Sequence, residues 1–101
     1  MKTVQLRRYQ IVEGEFEAFV EWFETRMPAV RRATGFEVEF AYGRPEANEF
    51  VWAVSVPGDR AEFERVEAAY LVSPERQGAF EGIPERIAAK EISFVEDVSI
   101  A

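Results

Sequence analysis

Residues 49–56, EFVWAVSV, decide the fold that we predict for this chain, because they are apolar on both sides of an extended strand. Successive side chains of a strand point to opposite faces of its sheet. The large side chains share one face and the small ones share the other: Phe50, Trp52, Val54 and Val56 against Val51, Ala53 and Ser55. A strand without a polar face is typical of the centre of a sheet that is covered on both sides.

The rest of the chain supplies neighbours for this strand. Alternating patterns predict strands at residues 3–11, 36–43 and 88–96, and three- and four-residue spacings predict helices at 15–33, 60–72 and 74–80. Asp59 and Ser73 are suitable N-caps for the last two helices. The order predicts one α+β domain over residues 1–101. It is a ferredoxin-like βαββαβ sandwich with a four-stranded antiparallel sheet and its helices on one face.

The first predicted helix has a continuous apolar stripe and one irregularity. The stripe recurs at three- and four-residue steps: Phe16, Phe19, Val20, Phe23, Met27 and Val30. Arg31 and Arg32 suit the last turn of the helix, and Gly35 suits its end. Pro28 removes one helical hydrogen bond, so we expect a kink or a break there.

Alternation also predicts which strand residues face the helices. On the helix side we expect the large apolar set: Val4, Leu6, Phe36, Val38, Phe40, Tyr42, Phe50, Trp52, Val54, Ile92 and Phe94. On the other side we expect a mixed set: Gln5, Arg7, Tyr9, Ile11, Glu37, Glu39, Val51, Ala53, Ser55, Glu91, Ser93 and Val95. A single β-bulge would exchange the two sets beyond it.

The mixed face predicts a homodimer that forms through the sheets. Contiguous apolar area would lie in water at Ile11, Val51, Ala53 and Val95, which usually marks an interface or a binding site. Two such faces closed on each other form a barrel-like assembly. The small side chains of residues 51–55 leave room inside it for a pocket.

Composition excludes several classes of function. The net charge of −7 disfavours nucleic acid and anionic membranes as partners. Without cysteine or histidine, the chain has no disulfide, no thiolate nucleophile and no histidine ligand for zinc or haem. No apolar run approaches the length of a transmembrane helix, and the N-terminus lacks an apolar signal core. We therefore expect a cytoplasmic protein that uses no cofactor and no metal.

The candidate ligand-binding residues are few, and no catalytic residue is identified. They are Arg7, Tyr9, Glu37, Glu39, Trp22 and Tyr70. Arg7 and Tyr9 are two apart on a strand, so they form either a clamp for an anion or carbonyl, or an interface in which Arg7 pairs with a glutamate. Glu37 or Glu39 would be a general base only if burial raised its pKa, which a neighbouring Arg7 opposes.

The two aromatic candidates lie outside the strands. Trp22 is off the centre of the first helix's stripe, where it flanks either a pocket mouth or the dimer rim. Tyr70 precedes the turn at Ser73, so its hydroxyl either reaches a ligand or caps that turn.

Several short motifs resemble the NIPSNAP family. Leu6, Arg7 and Tyr9 match a Leu-Arg-x-Tyr motif in the family's first strand, and Gly14 matches a turn glycine. Residues 49–56 resemble its third strand, and AAYLVSPE at 68–75 resembles its second helix and following turn. The resemblance covers nearly the whole chain and implies a dimeric α+β barrel.

The superfamily that the resemblance implies includes cofactor-independent monooxygenases, lactone isomerases, haem-degrading enzymes and chlorite dismutases. The haem branches depend on histidine, which is absent from this chain. Two functions therefore stay open. The first is a monooxygenase- or isomerase-type enzyme that binds a small, largely apolar molecule between the sheet and the partner subunit. The second is a non-catalytic dimeric binding or structural module.

Overall fold

A four-stranded sheet with three helices forms the framework of the computed structural model, which describes residues 1–100. The elements are β1 (Lys2–Ile11), α1 (Phe16–Ala33), β2 (Glu37–Arg44), β3 (Glu49–Pro57), α2 (Arg60–Leu71), α3 (Pro74–Phe80) and β4 (Ile87–Val95). A short 3₁₀ turn at Pro45–Ala47 joins β2 to β3. The predicted elements are confirmed to within about two residues at each end.

The strand order is β2-β3-β1-β4, and every neighbouring pair is antiparallel. The two central strands are therefore β3 and β1, as the apolar character of β3 predicted. The order and the two crossing helices are those of the ferredoxin-like α+β fold, which confirms the predicted fold class.

The helix ends follow the predicted caps. Asp59 accepts a hydrogen bond from the backbone N–H of Glu62 at 3.0 Å, and Ser73 accepts one from Arg76 at 3.1 Å. Of the kink or break predicted at Pro28, the break is wrong, because α1 runs unbroken past this residue. Buried residues on both sides of the proline, Met27 and Arg31, hold the helix against the sheet and offset one lost hydrogen bond.

The predicted orientation of β1 is reversed in the structure. Gln5, Arg7, Tyr9 and Ile11 are buried on the helix side, because β1 pairs with β3 so that Arg7 lies opposite Trp52 and Tyr9 opposite Phe50. Val4 and Leu6 lie opposite Ser55 and Ala53 on the sheet face that the helices do not cover. Because alternate side chains of a strand point to the same face, Gln5 and Arg7 share the face on which Tyr9 and Ile11 are buried.

A bulge in β2 also moves two aromatic residues to the uncovered face. The register shifts between Val38 and Phe40, so that Phe40 lies opposite Ala53 and Tyr42 opposite Val51. Tyr42 is 68% exposed, although alternation had predicted it on the helix side. Beyond the bulge Gly43 takes the helix side, where a Cβ atom would lie 2.7 Å from the ring of Phe16. We call the side without helices the open sheet face. It is formed by Val4, Leu6, Arg8, Glu37, Glu39, Phe40, Tyr42, Val51, Ala53, Ser55, Glu91, Ser93 and Val95.

The hydrophobic core lies between the sheet and the helices and is mostly aromatic. The ring of Phe23 lies 4.7 Å from Phe50 and 4.9 Å from Trp52, measured between ring centroids, both in edge-to-face geometry. At the α2 side, Phe63 contacts Phe36 and Phe94 in the same manner. These contacts fix α1 and α2 on the sheet.

Phe50→Ala should lower the free energy of unfolding by about 3–5 kcal/mol, because it removes a buried ring that contacts Phe19 and Phe23. Urea unfolding followed by circular dichroism measures the change. The matched control is Val72→Ala at an exposed site, which should change stability by no more than about 0.5 kcal/mol. Equal stability of the two variants would contradict the assigned core.

Candidate functional site

A cavity of about 610 Å³ lies between the sheet and the helices. Residues of β1, β3 and β4 form one wall, and residues of all three helices form the other. Aromatic rings make up much of the lining: Phe19, Trp22, Phe23, Trp52, Phe63, Tyr70 and Phe80. The volume falls within the range of roughly 300–1,000 Å³ that is common for small-molecule sites in proteins.

Arg7 lies on the β1 wall of this cavity and is held by neutral groups. Its Nε donates to the Tyr9 hydroxyl at 2.8 Å, and its Nη1 donates to Gln5 Oε1 at 2.7 Å. The three side chains are buried in a row along one face of the strand. Within residues 1–100, Arg7 forms no ion pair, and the alternative in which it pairs with a glutamate inside a dimer stays a prediction.

Arg31 lies opposite, in the last turn of α1, and its side chain is only 2% exposed. The guanidinium carbon is 3.9 Å from the ring centroid of Tyr70 and 4.6 Å from that of Phe36, so the cation stacks between aromatic rings. Burial lowers the pKa of Arg31, and the positive charge of Arg7 acts in the same direction.

The hydrogen-bonding groups of Arg31 are incompletely used. Its Nη1 is 3.8 Å from Glu67 Oε2, which is too long for a hydrogen bond. Arg31 Nε, Arg31 Nη1 and Glu67 Oε2 all lack hydrogen-bond partners within residues 1–100. Buried donors without partners are uncommon in folded proteins, and these donors belong to a residue that lines the cavity.

The indole ring of Trp52 lies close to both arginines. The guanidinium carbons of Arg7 and Arg31 are 5.6 Å and 5.3 Å from its ring centroid. Its indole Nε1 is buried and has no hydrogen-bond partner in the described part of the chain. One end of the cavity therefore combines two cations with an unused neutral donor.

The two aromatic candidates from the sequence line the same cavity. Trp22 donates from its indole Nε1 to the carbonyl of Ala79 at 2.9 Å, which ties α1 to α3. Its ring contacts Phe80 in edge-to-face geometry. Tyr70 is buried beneath the guanidinium of Arg31. The structure thus brings Arg7, Tyr9, Trp22 and Tyr70 to one site, on the helix side of the sheet and not on the predicted mixed face.

Glu37 and Glu39 do not belong to this site. Both lie on the open sheet face, where Glu39 accepts hydrogen bonds from Ser55 at 2.6 Å and Lys2 at 2.9 Å. The bond from Ser55 and the ion pair with Lys2 lower the pKa of Glu39. A general base near neutral pH needs a raised pKa, so the condition under which Glu39 would act as a base is not met within this chain.

Sequence reasoning missed Arg31 as a site residue, although a signal was present. Phe19, Phe23, Met27 and Arg31 follow one another at four-residue intervals and are the buried residues of α1. Arginine in the last turn of a helix is usually exposed. Arg31 is buried because its position belongs to the apolar stripe of α1. Trp52 was correctly predicted as core, but its unpartnered indole N–H depends on the tertiary structure.

The described residues contain neither a metal-ligand cluster nor a membrane-spanning helix. No three Asp or Glu side chains of residues 1–100 are placed to share a metal ion. None of the helices in this range is both long enough and apolar enough to cross a bilayer.

Solved structures with the same fold include NIPSNAP proteins. A NIPSNAP domain protein from Burkholderia xenovorans, uncharacterised by its own description, aligns over 100% of this chain and 98% of its own, with a TM-score of 0.81 and 14% identity. A NIPSNAP family protein of unknown function from Agrobacterium tumefaciens aligns over 99% and 91%, with a TM-score of 0.83 and 14% identity. The resemblance found in the sequence is confirmed at the level of the fold.

A structural similarity with a lower TM-score extends to a protein described as a monooxygenase. A putative antibiotic biosynthesis monooxygenase from Nitrosomonas europaea aligns over 98% of this chain and 92% of its own, with a TM-score of 0.70 and 12% identity. No protein-family model and no curated protein matches the sequence.

The ionised form of Glu39 should stabilise the folded chain at neutral pH. Because the folded-state pKa lies below the ordinary value of 4.5, this contribution is present above pH 4.5 and is lost as the pH falls through the lower folded value. Glu39→Gln should therefore be less stable than the parent at pH 7, and the difference should shrink at about pH 3. Urea unfolding at the two pH values measures it.

Glu37→Gln is the matched control, since Glu37 lies on the same strand and forms no ion pair within residues 1–100. Its stability should follow that of the parent at both pH values. If Glu39→Gln lowers the free energy of unfolding by as much at pH 3 as at pH 7, the assigned ion pair is contradicted.

Proposed function

We propose that this protein binds a small, largely apolar molecule in the cavity between its sheet and its helices. The observation that carries the proposal is one continuous cavity of about 610 Å³ that reaches both Arg7 and Tyr9. Its volume falls within the usual range of roughly 300–1,000 Å³ for small-molecule sites. Arg7 is bonded to Tyr9 and Gln5 rather than to a carboxylate, which favours a binding role over a purely structural ion pair.

The catalytic form of the proposal is a cofactor-independent monooxygenase- or isomerase-type reaction. Such chemistry places negative charge on a substrate oxygen, and fixed hydrogen-bond donors and cations stabilise that charge. The Arg7 and Tyr9 pair offers a cation and a hydroxyl on one wall of the cavity. The fold shared with a putative antibiotic biosynthesis monooxygenase is compatible with this reaction class. The non-catalytic alternative is a module that binds the molecule without converting it.

Fluorescence titration with N-phenyl-1-naphthylamine, a neutral apolar dye, tests the binding proposal. We expect saturable binding of one dye per chain. Ala68→Trp should abolish it, because Ala68 is an exposed residue of α2 that lines the cavity and a large ring there would close it. Ala69→Trp is the matched control, since Ala69 is the next residue, is also exposed and does not line the cavity.

The outcomes are distinguishable. Retained dye binding in Ala69→Trp and its loss in Ala68→Trp would support the cavity as the site. Absence of saturable binding to the parent, or equal binding by the two variants, would count against it.

We also propose that the open sheet face pairs with a second copy of the chain. All three helices lie on the other side, and this face carries Phe40, Tyr42 and Val95 at 37%, 68% and 39% exposure. Two cations at the face are paired within the chain, Lys2 with Glu39 and Arg8 with Glu49. An apolar patch whose neighbouring cations are paired in this way is suited to association with an identical face about a two-fold axis.

Light scattering after size exclusion tests the dimer. The parent should have twice the 11.6 kDa chain mass at micromolar concentration. The double variant Phe40→Glu and Tyr42→Lys should be monomeric, because it places charge in the apolar patch. Val72→Lys, an exposed change on the helix side, should remain dimeric. A monomeric parent would refute this proposal and leave the cavity proposal standing.

A further inference from the structure

We infer that the molecule bound in the cavity is a monocarboxylate with an aromatic or otherwise apolar body, and that Arg31 and the indole N–H of Trp52 hold its carboxylate. This inference rests on the proposed binding function and adds the chemical class of the ligand. It depends on three features: the burial of Arg31, the unused donors around it and the charge balance of the cavity wall.

The burial of Arg31 is costly without an anionic partner. A charged side chain in a protein interior normally has a paired and hydrogen-bonded opposite charge. Arg31 is 2% exposed, and Glu67, its acidic neighbour at 3.8 Å, is too far away to accept a hydrogen bond. The aromatic stack on Tyr70 and Phe36 offsets part of the cost but accepts no N–H hydrogen bond in the guanidinium plane.

The unused donors match the acceptors of a carboxylate. Arg31 Nε and Nη1 are unpartnered in the described chain, and guanidinium groups bind carboxylates through two parallel N–H donors. Trp52 Nε1 is a third unpartnered donor, and its ring lies 5.3 Å from the Arg31 guanidinium carbon. A carboxylate has two oxygens with about four acceptor positions, which is enough for all three donors.

Charge balance favours one negative charge. The cavity wall carries four cations, Arg7, Arg31, Arg76 and Lys90, and three carboxylates, Glu64, Glu67 and Glu85. The wall therefore has one cation in excess, although the chain has a net charge of −7. A monoanion neutralises this excess, whereas a phosphate dianion would leave uncompensated negative charge among aromatic rings.

The test compares two probes of nearly equal shape, 2-naphthoate and 2-naphthamide, by isothermal titration calorimetry at pH 7.5. The carboxylate should bind at least about tenfold more tightly than the neutral amide, since hydrogen bonds to charged groups are the stronger ones. Arg31→Met should reduce this preference to near unity. Arg32→Met is the matched control, because Arg32 is the exposed next residue, and it should keep the full preference.

Two further measurements separate the role of Arg31 from a structural one. Arg31→Met leaves the buried Glu67 oxygen without its cationic neighbour and should melt below the parent, so both probes are titrated at a temperature at which circular dichroism shows the variant folded. Saturation with 2-naphthoate should move the Trp52 indole N–H proton resonance downfield. The Trp22 indole N–H, which is already bonded to Ala79, should move less.

The preference of the parent for 2-naphthoate can be measured even if Arg31→Met does not fold. If the parent binds the naphthoate no more tightly than the naphthamide, or binds neither, the inference is overturned. An unmoved Trp52 resonance at saturation would overturn it as well. The dye titration tests the proposed function separately, because neither binding of the neutral dye nor the Ala68→Trp variant depends on a carboxylate.

Discussion

The antiparallel register of β1 on β3 is the constraint on which the remaining structure depends. It places Arg7 opposite Trp52 and Tyr9 opposite Phe50, so that a row of polar side chains enters the layer between the sheet and the helices. Those polar groups are buried without a carboxylate because they bond to one another, from Arg7 to Tyr9 and to Gln5. A shift of one residue would exchange both faces of β1 and remove this row from the cavity.

The interior on the helix side contains charged groups among its aromatic rings. Two buried arginines lie within 6 Å of one indole ring, and the donors of Arg31 and Trp52 are not used within the described chain. Small domains have little stability to spare, so a buried cation retained in the apolar stripe of α1 indicates a requirement beyond folding. Binding a carboxylate would satisfy that requirement.

The two sides of the sheet differ in their surfaces. The helix side contains the cavity, and the open sheet face contains the exposed aromatic residues of β2. The bulge between Val38 and Phe40 produces this division, because it turns Phe40 and Tyr42 outward and leaves Gly43 beneath α1. The proposed ligand binding and the proposed self-association therefore involve separate surfaces and can be tested by separate variants.

Local pattern was sufficient for much of the fold and for part of the site. Strand alternation, helical periodicity and the caps at Asp59 and Ser73 predicted every strand and helix and their order, since these features arise from the backbone geometry of neighbouring residues. Alternation also grouped Arg7 with Tyr9, and the resemblance of short motifs to NIPSNAP proteins agreed with the fold.

Tertiary structure decided which face of each strand packs against the helices. Alternation states which side chains of a strand share a face, but the apolar residues of β1 are distributed over both faces, so packing chose between them. Burial of Tyr9 and Ile11 carried Arg7 inward, and the β2 bulge reversed Phe40 and Tyr42. The meeting of Arg31 with Trp52 joins residues 21 positions apart in the chain, and long-range packing alone brings such residues together.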